Sequence, residues 1–69
     1  MKVGKIIDKE RLTQGLSYSD LAKAAGMYPG GRLTEICNGT TVNPGIYTVV
    51  RVLEALGKDL AWLQSEGMK

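Results

Sequence analysis

The sequence predicts an all-α fold, a compact single domain of five helices with no sheet. Apolar residues recur at helical spacing, most regularly at Ile46, Val49, Val50, Leu53 and Leu56, which sit at i, i+3, i+4, i+7 and i+10. The β-branched residues in that stretch lean towards strand, but the 3.6-residue period decides for helix. Glycines at positions 15, 26, 39 and 57 fall just beyond such stripes, where a helix ends in a left-handed residue. A chain of 69 residues suits one domain spanning 1–69 with a modest core, so good helix packing or an oligomer must support it.

Taken in order, helix 1 is expected from Met1 to Gln14. Val3, Ile6, Ile7 and Leu12 give it a broad apolar face, and Lys5, Asp8, Lys9 and Glu10 point mostly to water. Gly15 stops it. Leu16 then precedes the cap residue Ser17, as in a hydrophobic staple, with Asp20 at the capping-box position. Helix 2 follows at about Tyr18 to Ala25, with Leu21, Ala22 and Ala25 on its apolar side. Gly26 is its left-handed stop. The segment Met27 to Gly31 is irregular. Pro29 is tolerated only in the first turn of a helix, and Gly30 and Gly31 each weaken a helix by roughly 1 kcal/mol against Ala. Helix 3 therefore starts either at Pro29 or near Gly31 and runs to about Asn38, with Leu33, Ile36 and Cys37 as its apolar stripe. Two short helices about a glycine turn, here residues 17–39, are the pattern of a helix-turn-helix. Gly39 to Gly45 is a polar loop with Asn-Pro-Gly turn chemistry. Helix 4 runs from about Ile46 to Leu56. Asp59 caps helix 5, Leu60 to about Glu66, and the tail 67–69 is expected to be flexible.

The bulk composition excludes several classes. With 43% hydrophobic and 23% charged residues the chain is globular rather than disordered. One cysteine and no histidine rule out a disulfide framework and argue against a metal site. A single thiol fits a reducing compartment, so a cytoplasmic location is expected. No apolar run is long enough for a membrane span. Cys37 reads as a small core residue, since no histidine or other base accompanies it as a nucleophile would need. No catalytic cluster or phosphate loop is present, so neither an enzyme, a small-molecule substrate nor a cofactor is expected. The net charge of +2 permits an anionic partner without demanding one.

The residues Gly15-Leu16-Ser17, Leu21-Ala22, Ala25-Gly26-Met27, Ile36, Asn38-Gly39, Asn43-Pro44, Leu53, Ala55-Leu56-Gly57 and Leu60 together resemble the lambdoid phage repressor and Cro (XRE-like) family of helix-turn-helix proteins. The resemblance runs from about Ile7 to Leu63. It implies a compact five-helix, lambda-repressor-like domain that binds double-stranded operator DNA, usually as a homodimer, and regulates transcription. Two departures stand out. The interval from Gly26 to Gly39 is one residue longer than is usual in the family. Absorbed in the turn near Gly30-Gly31, the extra residue leaves Leu33 and Ile36 in the core. Inside a helix it would rotate everything after it by about 100°. Secondly, Cys37 stands where many members carry a Glu that pairs with a helix-1 Arg. Arg11 matches that Arg, so it either pairs with Glu35 or Glu10 or remains free for phosphate.

The resemblance also assigns sites. The start of helix 3 would meet base edges in the major groove, which places Tyr28, Pro29, Gly30, Gly31, Arg32, Thr34 and Glu35 there. Arg32 has the fork that matches guanine O6 and N7; otherwise it is an exposed solubilising residue. Thr34 either contacts a thymine methyl or a phosphate, or joins Glu35 on a solvated face; Glu35 otherwise accepts from cytosine N4. The glycines either allow close backbone approach or only form a turn. Phosphate contacts fall to Ser17 and Tyr18 at the start of helix 2, to Asn38, Thr40, Thr41 and Asn43 in the following loop, and to Arg11 and Lys9. Tyr47 either touches a phosphate or packs over Pro44. Trp62 and Leu63 are expected to form a dimer face near the C-terminus, or else Trp62 closes the monomer core. The competing reading is a helix-turn-helix module that docks on a repressor, phage or toxin protein rather than on DNA. The modest charge and the glycine-interrupted reading helix favour it.

Overall fold

The computed structural model describes residues 2–28, 31–40 and 44–69. Among them the chain forms five helices and no strand: α1 (Val3–Thr13), α2 (Tyr18–Ala24), α3 (Gly31–Cys37), α4 (Ile46–Ala55) and α5 (Leu60–Gly67). The first residue of the helix expected from Met1, and the alternative start of the third helix at Pro29, lie outside the described residues. The helix packing pairs α1 with α3 and α5, and α2 with α3 and α4.

Local chemistry sets the ends. Ser17 and Asp20 form a reciprocal capping box: the Asp20 N–H donates to Ser17 Oγ at 3.0 Å, and the Ser17 N–H donates to Asp20 Oδ2 at 3.2 Å. Asp59 Oδ1 accepts the Trp62 N–H at 2.8 Å and caps α5. At the other end of α2, Gly26 has φ +72°, and the Met27 N–H returns to the Ala22 carbonyl at 2.8 Å. The 6→1 bond of a Schellman stop is therefore in place, in a backbone conformation that a side chain would strain. The other three expected stops, Gly15, Gly39 and Gly57, also have positive φ.

The core has two parts. Ile7, Leu21, Ala22, Ala25, Leu33, Ile36, Cys37, Val52 and Leu56 form the larger one, with Val3, Leu16, Tyr18 and Met27 packed against it. Val49, Leu53 and Leu63 form the smaller one, flanked by Val3, Ile6 and Trp62. Leu33 and Ile36 are at 0% and 1% exposure, so both lie in the core as expected. Cys37 is a core residue as well, and desolvation pushes its thiol up to about 11.

Leu12 departs from its expectation, at 62% exposure. The core-facing position one turn after Ile7 is residue 11, whereas residue 12 lies about 140° further round from Ile7. Arg11 occupies the inward position and is buried. Ile46 stands at the edge of the core and is exposed, so the stripe of α4 is covered only from Val49 onward. Tyr47 is 85% exposed and does not pack away.

One close approach carries no signal in composition or periodicity. A Cβ added to Gly4 would overlap the carbonyl oxygen of Ile36. The missing side chain is what lets α1 lie directly on the backbone of α3. Gln14 makes a second cross-link, its Nε2 donating to the Leu56 carbonyl at 2.8 Å and tying the end of α1 to the end of α4.

Candidate nucleic-acid interface

The surface of interest is built on α2 and α3. The capping box fixes where α2 begins, Gly26 turns the chain, and α3 buries Leu33, Ile36 and Cys37. With those three positions facing inward, helical geometry turns Arg32 and Glu35 outward, and both are exposed. Thr34 is half-buried. Gly31, at the start of α3, is exposed, and no described atom lies within 4 Å of where its Cβ would be. Tyr28 is 62% exposed, and the Lys23 ammonium lies 5.1 Å from its ring centroid. Of the residues expected at base edges, Tyr28, Gly31, Arg32 and Glu35 therefore share the exposed side of the turn and of α3. Pro29 and Gly30 lie outside the described residues.

The expected phosphate positions divide. Asn38 and Thr40 are exposed, and Asn38 Oδ1 accepts the Thr40 N–H at 2.9 Å, which leaves the Asn38 amide N–H groups and the Thr40 hydroxyl outward. Thr41 and Asn43 lie outside the described residues. At the start of α2 the N–H groups of Ser17 and Asp20 are used within the capping box, so neither is offered to a phosphate. The hydrogen bonds from Ser17 hold the Asp20 carboxyl below its usual range. Ser17 is left with only its hydroxyl hydrogen to offer. Tyr18 is half-buried beneath a cation rather than presented outward, with the Arg11 guanidinium 4.0 Å from its ring centroid.

Arg11 corrects an expectation. It pairs neither with Glu35 nor with Glu10, and it is not free for phosphate. Its Nη2 lies 3.0 Å from Asp8 Oδ1, its Nε donates to the same oxygen at 3.1 Å, and its Nη1 donates to the Leu16 carbonyl at 2.6 Å. Asp8 sits one turn earlier on the same helix face and supplies the negative charge that Cys37 lacks. The guanidinium thereby holds Leu16 and the entry to α2, a positioning role rather than a binding one.

Leu63 is corrected too. It is 5% exposed and packs with Val49 and Leu53, so it presents almost nothing to a second chain. Trp62 is half-buried against the same cluster, with the Lys58 ammonium 5.4 Å from its ring centroid.

The fold adds Thr48 and Arg51, which were not singled out in the sequence. Tyr28 and Arg32 share a cleft of about 450 Å³ with Tyr47, Thr48 and Arg51 of α4. Arg51 Nη1 reaches to within 3.8 Å of where a Cβ would stand on Gly26. Tyr47 and Arg51 are four residues apart and so share a helix face, which was visible in the spacing. That this face meets the glycine turn depends on the packing of α4 on α2, which the spacing does not show. No carboxylate lines the cleft, among the described residues.

A family model described as Helix-turn-helix matches residues 7–63, the span over which the sequence motifs run. No curated protein and no solved structure gives a match. The capped, glycine-turned helix pair and the family match over most of the chain agree, and the chain belongs to the XRE-type, Cro/CI-like helix-turn-helix family of DNA-binding regulators.

Proposed function

We propose that the chain is a sequence-specific transcriptional regulator of the repressor/Cro kind that lays α3 in the major groove of operator DNA. The observation that supports this most is the division of α3, with Leu33, Ile36 and Cys37 buried and Arg32 and Glu35 exposed next to the α2–α3 turn. In this motif the first residues of the second helix reach the base edges. Arg32 is the principal reader, its fork suited to the O6 and N7 of a guanine, and Glu35 is placed one turn on to accept from a cytosine N4. Gly31 brings backbone rather than a side chain to the groove. The Asn38 amide and the Thr40 hydroxyl hold the phosphates that flank α3, with Ser17 adding its hydroxyl from the start of α2. The regulator acts as a homodimer, with Trp62 on the face of α5 that meets the partner.

The test is a pair of binding curves on a duplex recovered by selection. Arg32→Ala should weaken binding to the selected duplex by about 1–3 kcal/mol while leaving binding to a scrambled duplex nearly unchanged. Arg32 is exposed, so the variant should melt with the wild type. Equal affinity of Arg32→Ala and wild type for the selected duplex would remove Arg32 from readout.

A further inference from the structure

Once α3 is assigned to the groove, the cleft beside it remains to be explained. Its walls come from two places, Tyr28 and Arg32 on the α2–α3 side and Tyr47, Thr48 and Arg51 on α4. Arg32 and Arg51 are exposed, and neither is ion-paired or hydrogen-bonded among the described residues. Lys23 adds a third cation against the Tyr28 ring. Two guanidinium groups in one concavity, with no ion pair and no carboxylate among the described residues, concentrate positive potential there. The guanidinium fork matches two oxygens of a phosphate, and the tyrosine and threonine hydroxyls can donate to the same oxygens.

The shape selects among phosphate sources. A site for a small molecule encloses most of its ligand. Here Tyr47 is 85% exposed and Tyr28 62%, so the cleft is an open trough that covers one side of a ligand. A phosphodiester carried on a polymer fits such a trough, because other contacts hold the polymer in place.

We infer that Arg51 and Tyr47, with Tyr28 on the other wall, hold one backbone phosphodiester of the duplex on which α3 is docked, while Arg32 beside them is left to the bases. This rests on the DNA-binding reading above. Arg51 is then a positioning residue. It fixes the height and register of α3 through the glycine turn it lies against, and it reads no base.

The experiment measures fluorescence anisotropy of the full chain on a selected duplex and on a scrambled duplex across a range of salt. Arg51→Gln should weaken both duplexes by the same factor, roughly 5- to 10-fold, and reduce the salt slope by about one. Arg51→Lys should recover the slope, since the charge is restored, but only part of the affinity. Its melting temperature should match wild type, because the side chain is exposed. Wild-type affinity and slope in Arg51→Gln, on a duplex that Arg32→Ala no longer distinguishes, would overturn the phosphate assignment and leave the DNA reading standing. Absence of duplex binding by the wild type would overturn both. Calorimetric binding of ATP or inorganic phosphate that Arg51→Gln abolishes, without duplex binding, would assign the cleft to a free ligand instead.

Discussion

Gly4 and Arg11 each show one residue fixing a relation between helices. Gly4 admits the Ile36 carbonyl where any side chain would collide with backbone. A collision with backbone, unlike one with the end of a flexible side chain, is relieved only by moving a helix. Gly4→Ala should therefore destabilise the fold by about 1–3 kcal/mol through overpacking, even though alanine is the better helix former. Gly31→Ala is the matched control. It lies within α3 with open space around it, so it should be neutral or stabilising by up to about 1 kcal/mol. Thermal or denaturant unfolding of the two variants checks both statements. If Gly31→Ala melts normally yet binds DNA more weakly, the glycine serves close backbone approach rather than the turn alone. Arg11 acts in the opposite sense, by filling an inward position. Its charge is answered by Asp8 and by the Leu16 carbonyl, so a buried guanidinium becomes a brace for the entry to α2.

The elements were legible where a local rule decides them. Ser17 with Asp20, Asp59, and glycine at positions 15, 26, 39 and 57 are all signals carried within a few residues, and the helix ends fall where they indicate. The α4 stripe was readable in part, since Val49, Leu53 and Leu56 are buried as the helical period indicates, whereas Ile46 is exposed, Val50 is half-buried and the fully buried Val52 lies outside that stripe. What was not legible depends on which helix lies against which. Leu12 reads as inward because it is apolar, but the register of α1 gives that place to Arg11. Arg51 gained a role, and the phosphate contact open to Tyr47 gained a setting, only because α4 packs beside α2. Leu63 reads as open to a partner chain, whereas α5 turns it onto α4. At the start of α2 the capping box makes a pH-dependent contribution. Asp20 has a lowered folded-state value, so its stabilisation is complete above the unfolded value of 3.8 and is lost as the pH falls through the folded one. Ser17→Ala should cost about 1 kcal/mol at neutral pH. Asp20→Asn should flatten the loss of stability between neutral and acid pH, which denaturant unfolding at both pH values would detect. An acid limb as steep in Asp20→Asn as in wild type would remove this carboxylate from the linkage.

At the scale of the whole molecule, a net charge of only +2 makes the arrangement of charge matter more than its amount. Arg32, Arg51 and Lys23 gather at the end of the molecule where α2 hands over to α3, while Lys58 and Lys69 lie with α5, over Trp62 and beside Glu66 respectively. The proposed regulator docks through the first group and dimerises through the α5 side, so two copies of α3 would face successive major grooves on one side of the duplex. The spacing of half-sites is then a geometric consequence, about one helical turn or roughly 34 Å between centres. The competing reading, in which the same fold docks on a protein, predicts no such spacing and little dependence on phosphate. Selection from a random duplex pool, followed by a salt titration on the recovered sequence, separates the two most directly. The proposed function predicts enrichment of a palindromic site with half-sites one turn apart and an affinity that falls steeply and linearly in the logarithm of salt. No enrichment, with only weak binding that disappears at physiological salt, would contradict it.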